Sequence, residues 1–100
     1  MHFVVTAFDG ADSGAGARRS GAREGHLAGA EKMHRDGRLL YAAALLDDEG
    51  GMTGSIMIVD FPSKEALERE WLDDEPYVKG NVWKEIDVRP CRAPGFISGV

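Results

Sequence analysis

Three stretches of this chain that read as β-strand are apolar on both sides, and this constrains the fold more than any other feature. Successive side chains of a strand point to opposite faces of its sheet. From His2 to Phe8, Phe3, Val5 and Ala7 alternate with Val4, Thr6 and Phe8. From Thr53 to Phe61, Ile56 and Ile58 alternate with Met57, Val59 and Phe61. Arg38 to Leu46 is a near-continuous run of leucine and alanine with one tyrosine, short enough for a strand buried on both faces. A sheet built from such strands needs cover front and back.

The intervening segments supply cover for one face. Ala22, His26, Ala30 and Met33 recur at helical spacing with Leu27 at the stripe's edge, and Gly37 follows as a terminator, so a helix is predicted from about Arg19 to Gly37. The preceding Gly10 to Gly21 segment, with glycines at 10, 14, 16 and 21, reads as a mobile loop. Asp47-Asp48-Glu49-Gly50-Gly51 reads as a hairpin. Ser63 caps a second helix with Glu65 in its first turn, and Pro76 is expected to close it. Asn81 to Arg89 alternates as a fourth strand, putting Trp83 on the same side as Glu85, Asp87 and Arg89. The order is β-α-β-β-α-β, an α+β ferredoxin-like arrangement with a four-stranded antiparallel sheet in one domain spanning residues 1–100. Two helices cover one face, so the other, Trp83 included, is expected to meet the same face of a second copy in a homodimer. A chain of 100 residues buries only about 60–70% of its unfolded surface, which leaves a role for a partner. Residues 91–100 read as a tail that such a partner could hold.

Charge and cysteine usage narrow the function. Seventeen acidic against twelve basic residues, a net charge of -5, argue against nucleic acid and anionic membrane as partners. The lone Cys91 excludes an internal disulfide, and with no secretory signal at the amino terminus a cytoplasmic location is expected. No apolar run approaches the ~20 residues of a membrane span. Arg19 stands where a dinucleotide fingerprint needs its third glycine, and His26 and His34 are too far apart on one helix to share a metal ion, so neither cofactor nor metal is expected.

His26 carries the most chemical information. It sits mid-stripe on the sheet side of its helix, where imidazole serves either as a proton carrier beside a pocket or as a core histidine bonded to backbone. Arg23 and Arg19 precede it at one-turn intervals and form a basic ridge, either an anion cradle or a solvated face. Asp73-Asp74-Glu75 put three carboxylates where a helix end disfavours them, and His26 or Arg23 could compensate one. Tyr77 follows directly.

In combination, Arg19-x-x-x-Arg23-x-x-His26-Leu27, His34-x-x-Gly37-Arg38-Leu39-Leu40, Thr53-Gly54-Ser55, Glu75-Pro76-Tyr77-Val78 and the Val82 to Pro90 strand resemble the YciI-like family. The resemblance implies a dimeric α+β barrel, two ferredoxin-like subunits facing each other by their sheets. It also implies a site pairing the histidine of the arginine helix with an acid directly before Pro-Tyr, with the serine after Thr-Gly nearby. Those residues are His26, Glu75 and Ser55. The family's acid is aspartate, so the longer Glu75 leaves Asp74 open as the partner. A related enzyme removes chloride from a chlorinated hydroxyquinol. The expectation is a cofactor-independent enzyme for a small, cyclic or aromatic-derived and anionic molecule, isomerising or eliminating by proton transfer. His26 is base and acid, Glu75 orients it, Ser55 donates to an oxyanion, and Arg19, Arg23, Asp74 and Tyr77 bind substrate. A non-catalytic ligand-binding dimer and a cofactor-free oxygenase are the alternatives.

Overall fold

The computed structural model describes residues 1–97. Strand β1 (His2–Asp9) leads to helix α1 (Ala15–Arg35), then to the hairpin of β2 (Leu39–Leu46) and β3 (Met52–Asp60), helix α2 (Lys64–Glu70), a 3-10 turn (Leu72–Asp74), the short helix α3 (Pro76–Lys79) and strand β4 (Trp83–Pro90). The sheet order is β2-β3-β1-β4 with every neighbouring pair antiparallel. This is the expected α+β, ferredoxin-like architecture.

The helices lie on the face made by Phe3, Val5 and Ala7 of β1 and Met57 and Val59 of β3, which are all buried with Phe61, Leu67, Trp71 and Tyr77. Ala22, Ala30 and Met33 of α1 pack against that core, as their spacing predicts. Cross-strand pairs put Val4, Thr6 and Phe8, Ile56 and Ile58, and Tyr41 and Ala43 on the opposite face. Among the described residues nothing covers this face: Phe8 is 45% and Tyr41 54% exposed. β2 is therefore an exposed edge strand within one copy of the chain, not a strand buried on both faces.

Three expectations need correction. The Gly10 to Gly21 segment is mostly helix, because side chains replace the missing propensity. Asp12 accepts from the Gly14 amide and pairs bidentately with Arg18 at 2.6 and 2.8 Å, while Arg18 Nε donates to the Asn81 carbonyl. Pro76 does not close α2, which ends at Glu70. It opens α3 as its first residue, where the absent N–H costs nothing. Trp83 lies on the helix side, 5% exposed. Phe8 pairs with Glu85 but Asp9 pairs with Trp83, so Lys84 is surplus and the bulge flips the strand's alternation there.

α1 ends at Arg35, with Gly37 beyond its cap acting as the expected terminator: its positive φ of 77° permits the Gly37-to-His34 and Arg38-to-Met33 amide bonds that close the last turn. The tail has no regular structure over residues 91–97, and Phe96 is 84% exposed. The end of the proposed partner-held tail, 98–100, lies outside the described residues. No helix among them is long and apolar enough to cross a membrane.

Candidate active site

Pro76 determines the geometry around Glu75. A residue before proline is pushed out of the helical region, and Glu75 accordingly takes an extended backbone, ψ 126°, between the 3-10 turn and α3. That turns its side chain inward as the cap of α3, accepting from the Tyr77 amide at 3.1 Å. The same oxygen meets His26 Nδ1 at 2.6 Å, and the other carboxylate oxygen accepts from Trp71 Nε1 at 3.1 Å. Glu75 is 4% exposed, with both oxygens satisfied. Asp74, one residue earlier, points outward and pairs with Lys79 at 3.2 Å in solvent. The carboxylate that reaches His26 is Glu75.

An ionised carboxylate only accepts, so the proton of neutral His26 belongs on Nδ1 and its lone pair on Nε2. The imidazole is clamped by aromatic rings: Tyr77 stacks on it at 3.8 Å and 10°, and Trp83 meets it edge-on at 5.7 Å. These contacts fix the ring, leaving Nε2 without a partner among the described residues.

His26 borders a cleft of about 230 Å³ between α1 and the β2–β3 half of the sheet. Arg19, Arg23, Leu27 and Ala30 line it from α1, Ala42 and Ala44 from β2, Ser55 and Met57 from β3, with Tyr77 across from them. The small alanines of β2 create this space, because no bulky side chain from the edge strand fills the gap beneath α1. Typical small-molecule pockets span roughly 300–1,000 Å³, so the cleft suits a single-ring ligand.

The two arginines of the expected ridge part company. Arg19 is 7% exposed and ties four elements together: Asp9 at the end of β1, Tyr77 of α3, and Gly54 and Ser55 of β3. Its guanidinium also lies 4.8 Å over the Tyr77 ring. Arg23 is exposed at the cleft and has no ion-pair or hydrogen-bond partner among the described residues. Arg19 is matched by Asp9, which leaves Arg23 as the unpaired guanidinium lining the cleft among the described residues.

All seven candidate residues can now be placed. His26, Glu75, Ser55, Arg19 and Tyr77 converge, Arg23 stands at the rim, and Asp74 stands apart. Sequence reasoning missed Asp9, whose carboxylate holds Arg19 Nε at 2.8 Å and whose Oδ1 is buried without a partner among the described residues. Asp9-Gly10 looks like turn chemistry, and only Arg19 across the loop reveals the other role. It also missed Trp71 and Trp83, whose indole N–H groups donate to Glu75 and Ser55. Among the described residues no group of three or more His, Cys, Asp or Glu is gathered to hold a metal ion.

Comparisons with known proteins bear on the family and the fold. A model of the YCII-related domain matches residues 1–92. The protein YciI of Escherichia coli O6:H1 and that of Shigella flexneri are each 38% identical over 98 residues, covering 92% of this chain and 97% of theirs. Among solved structures, 5-chloro-2-hydroxyhydroquinone dehydrochlorinase (TftG) from Burkholderia phenoliruptrix AC1100, in complex with 2,5-dihydroxybenzoquinone, superposes with a TM-score of 0.79 at 20% identity, over 94% of this chain and 96% of that one. Protein Atu4242 of Agrobacterium tumefaciens superposes at 0.54 and 15% identity, over 98% of each chain.

Proposed function

The chain belongs to the YCII-related family, and from that premise we propose that it is a cofactor-independent enzyme that moves a proton on a small hydroxylated ring, isomerising it or eliminating a leaving group such as chloride. The observation that carries this reading is the His26–Glu75 pair at 2.6 Å, buried at one end and open to a ring-sized cleft at the other. Glu75 keeps the Nδ1 proton in place and stabilises the imidazolium that forms when Nε2 takes a proton from substrate carbon. The electron pair of the broken C–H bond then forms a new double bond. In the isomerisation the neighbouring carbonyl takes up the displaced π pair as an enolate, which collapses as the imidazolium returns the proton to another ring carbon. In the elimination the C–Cl bond breaks, chloride leaves with its pair, and the imidazolium passes the proton to water. Ser55 donates to the substrate oxygen on which charge accumulates, and Arg23 attracts an anionic substituent.

The chain works as a homodimer in this proposal, with the open face of Val4, Ile56, Ile58 and Tyr41 set against its copy, and it works in the cytoplasm. An exposed apolar sheet face of this kind marks an association surface. The test is turnover of chlorinated hydroxyquinols and of unsaturated lactones, followed by chloride release and ultraviolet absorbance. His26→Gln should lower the rate by about 10²- to 10⁴-fold with an unchanged circular dichroism spectrum. Full activity in that variant would overturn the assignment.

A further inference from the structure

Arg19 has five N–H donors and no acceptor, so every group it meets must accept from it. Nε donates to Asp9 at 2.8 Å, Nη1 to the Tyr77 hydroxyl at 3.2 Å, and Nη2 to the Gly54 carbonyl at 2.7 Å and Ser55 Oγ at 3.0 Å. Ser55 Oγ accepts a second bond from Trp83 Nε1 at 3.3 Å. A serine hydroxyl has two lone pairs and one proton. Both lone pairs are occupied, so all that Ser55 can still do is donate. The Tyr77 hydroxyl is likewise held as an acceptor by the same guanidinium, with its own proton left over.

Neither O–H reaches an acceptor among the described residues, although Ser55 is 5% and Tyr77 1% exposed. Buried donors without acceptors are rare and call for a partner. Both residues line the cleft beside His26. A hydroxyl that accepts from a cation is also polarised into a better donor.

We propose that Arg19, anchored by Asp9, is a positioning residue that turns the Ser55 and Tyr77 hydroxyls into a two-donor seat for one ligand oxygen, and that this seat selects an oxygen that only accepts: a phenolate, an enolate or a carbonyl. Arg19 thus acts through the two hydroxyls instead of anchoring an anion directly, and Arg23 retains the direct role. A ligand hydroxyl can accept there only with its own proton turned away from both donors and without the charge that strengthens the two bonds, so it is held more weakly than an oxyanion. The inference deepens the proton-transfer reading and rests on it for the identity of the site, but the seat is measurable without turnover.

The probe is 4-nitrophenol, whose neutral and ionised forms are distinguished by absorbance, titrated into the full chain below and above its ionisation. The wild-type protein should bind the phenolate at least about tenfold more tightly than the phenol. Tyr77→Phe and Ser55→Ala should each lower that preference roughly tenfold at most, the scale of one hydrogen bond to a charged oxygen. Arg19→Gln, whose side-chain oxygen can accept from either hydroxyl, should lower it as far, whereas Arg19→Lys, a pure donor, should retain more of it. A purely structural Arg19 would change total affinity without changing the ratio between the two forms. Where Arg19→Gln fails to fold, the two hydroxyl variants decide the matter alone. Equal binding of both forms, no saturable binding of either, or a preference untouched by Tyr77→Phe and Ser55→Ala overturns the proposal. Phenolate preference with undiminished turnover in His26→Gln removes the proton-transfer reading and leaves the seat standing. Lost turnover in His26→Gln with no phenolate preference does the reverse.

Discussion

Both faces of the sheet carry apolar side chains, but they differ in how their polar groups are arranged. The helix-covered face embeds a connected set of charges and hydrogen bonds: Asp9, Arg19, Ser55, His26, Glu75 and the two tryptophan N–H groups. The open face between β2 and β1 is aliphatic and aromatic, with Tyr41 and Phe8 in solvent. Burial in a low dielectric makes each unmatched polar group costly, so the covered face tolerates its charges only because they are matched there. On the open face the charges lie along β4, where Glu85, Asp87 and Arg89 stand in solvent opposite Phe8, Thr6 and Val4, and the β2–β3–β1 part can be met by any flat apolar surface. One side of the sheet is specific and the other is sticky.

Neighbouring residues provide the sharpest tests of this contrast, beginning with the largest effect. Met57 and Ile58 are adjacent but face opposite ways, Met57 3% exposed among the core. Met57→Lys should unfold the chain, since an unpaired buried charge costs several kcal/mol of the ~5–15 kcal/mol a domain possesses. Ile58→Lys should leave the fold intact and abolish the proposed self-association, read as a fall in sedimentation mass at micromolar concentration from the dimer proposed for the wild type. An unchanged mass would separate the open face from dimerisation.

Glu75 and Asp74 form the second pair. Glu75→Ala strands the Trp71 N–H, the Tyr77 amide and the His26 ring together, for an expected loss of about 3–5 kcal/mol in urea unfolding. Asp74→Ala should fall within about 0.5 kcal/mol. Equal losses would erase the distinction between inner and outer carboxylate. Gly54→Ala comes next: an added Cβ would lie 2.3 Å from the Ala7 carbonyl oxygen of the neighbouring strand. The strands must part to admit it, costing about 1–3 kcal/mol and loosening the carbonyl that Arg19 holds, visible as a lower Tm.

The smallest effect is at the start of α1. The hydrogen bonds from Arg18 hold the Asp12 carboxyl well below the usual carboxylate range. Because the folded value lies below the unfolded one, the pair stabilises fully above the ordinary value of 3.8 and is lost as pH falls through the folded value. Amide exchange over residues 15–18 should therefore quicken, relative to the rest of α1, only in strong acid. Asp12→Asn should remove that dependence.

The sequence revealed most of the fold, because period-two apolar alternation and glycine stops are local signals that tertiary contacts reinforced. In the candidate site, the pairing of His26 with an acid near Pro-Tyr was legible only through the family resemblance, and the choice of Glu75 over Asp74 then follows from Pro76, which forces the residue before it into extended backbone. What stayed hidden depended on distant partners. α1 begins at Ala15 because Arg18 reaches Asp12 and Asn81 and Arg19 reaches β1 and β3, none of which a propensity window senses. Arg19 reads as a surface cation until the acceptors around it are known.

The surplus residue in β4 has a consequence for how such chains are compared. Lys84 has no opposite number in β1, and that single extra position turns Trp83 toward His26 and Ser55 instead of onto the outer surface. These contacts are therefore specified by a count as much as by an identity. Two relatives with the same tryptophan but strands differing by one residue would place it on opposite sides, and an alignment that closes the gap for the sake of matching letters would conceal the loss of its contacts with the histidine and the serine.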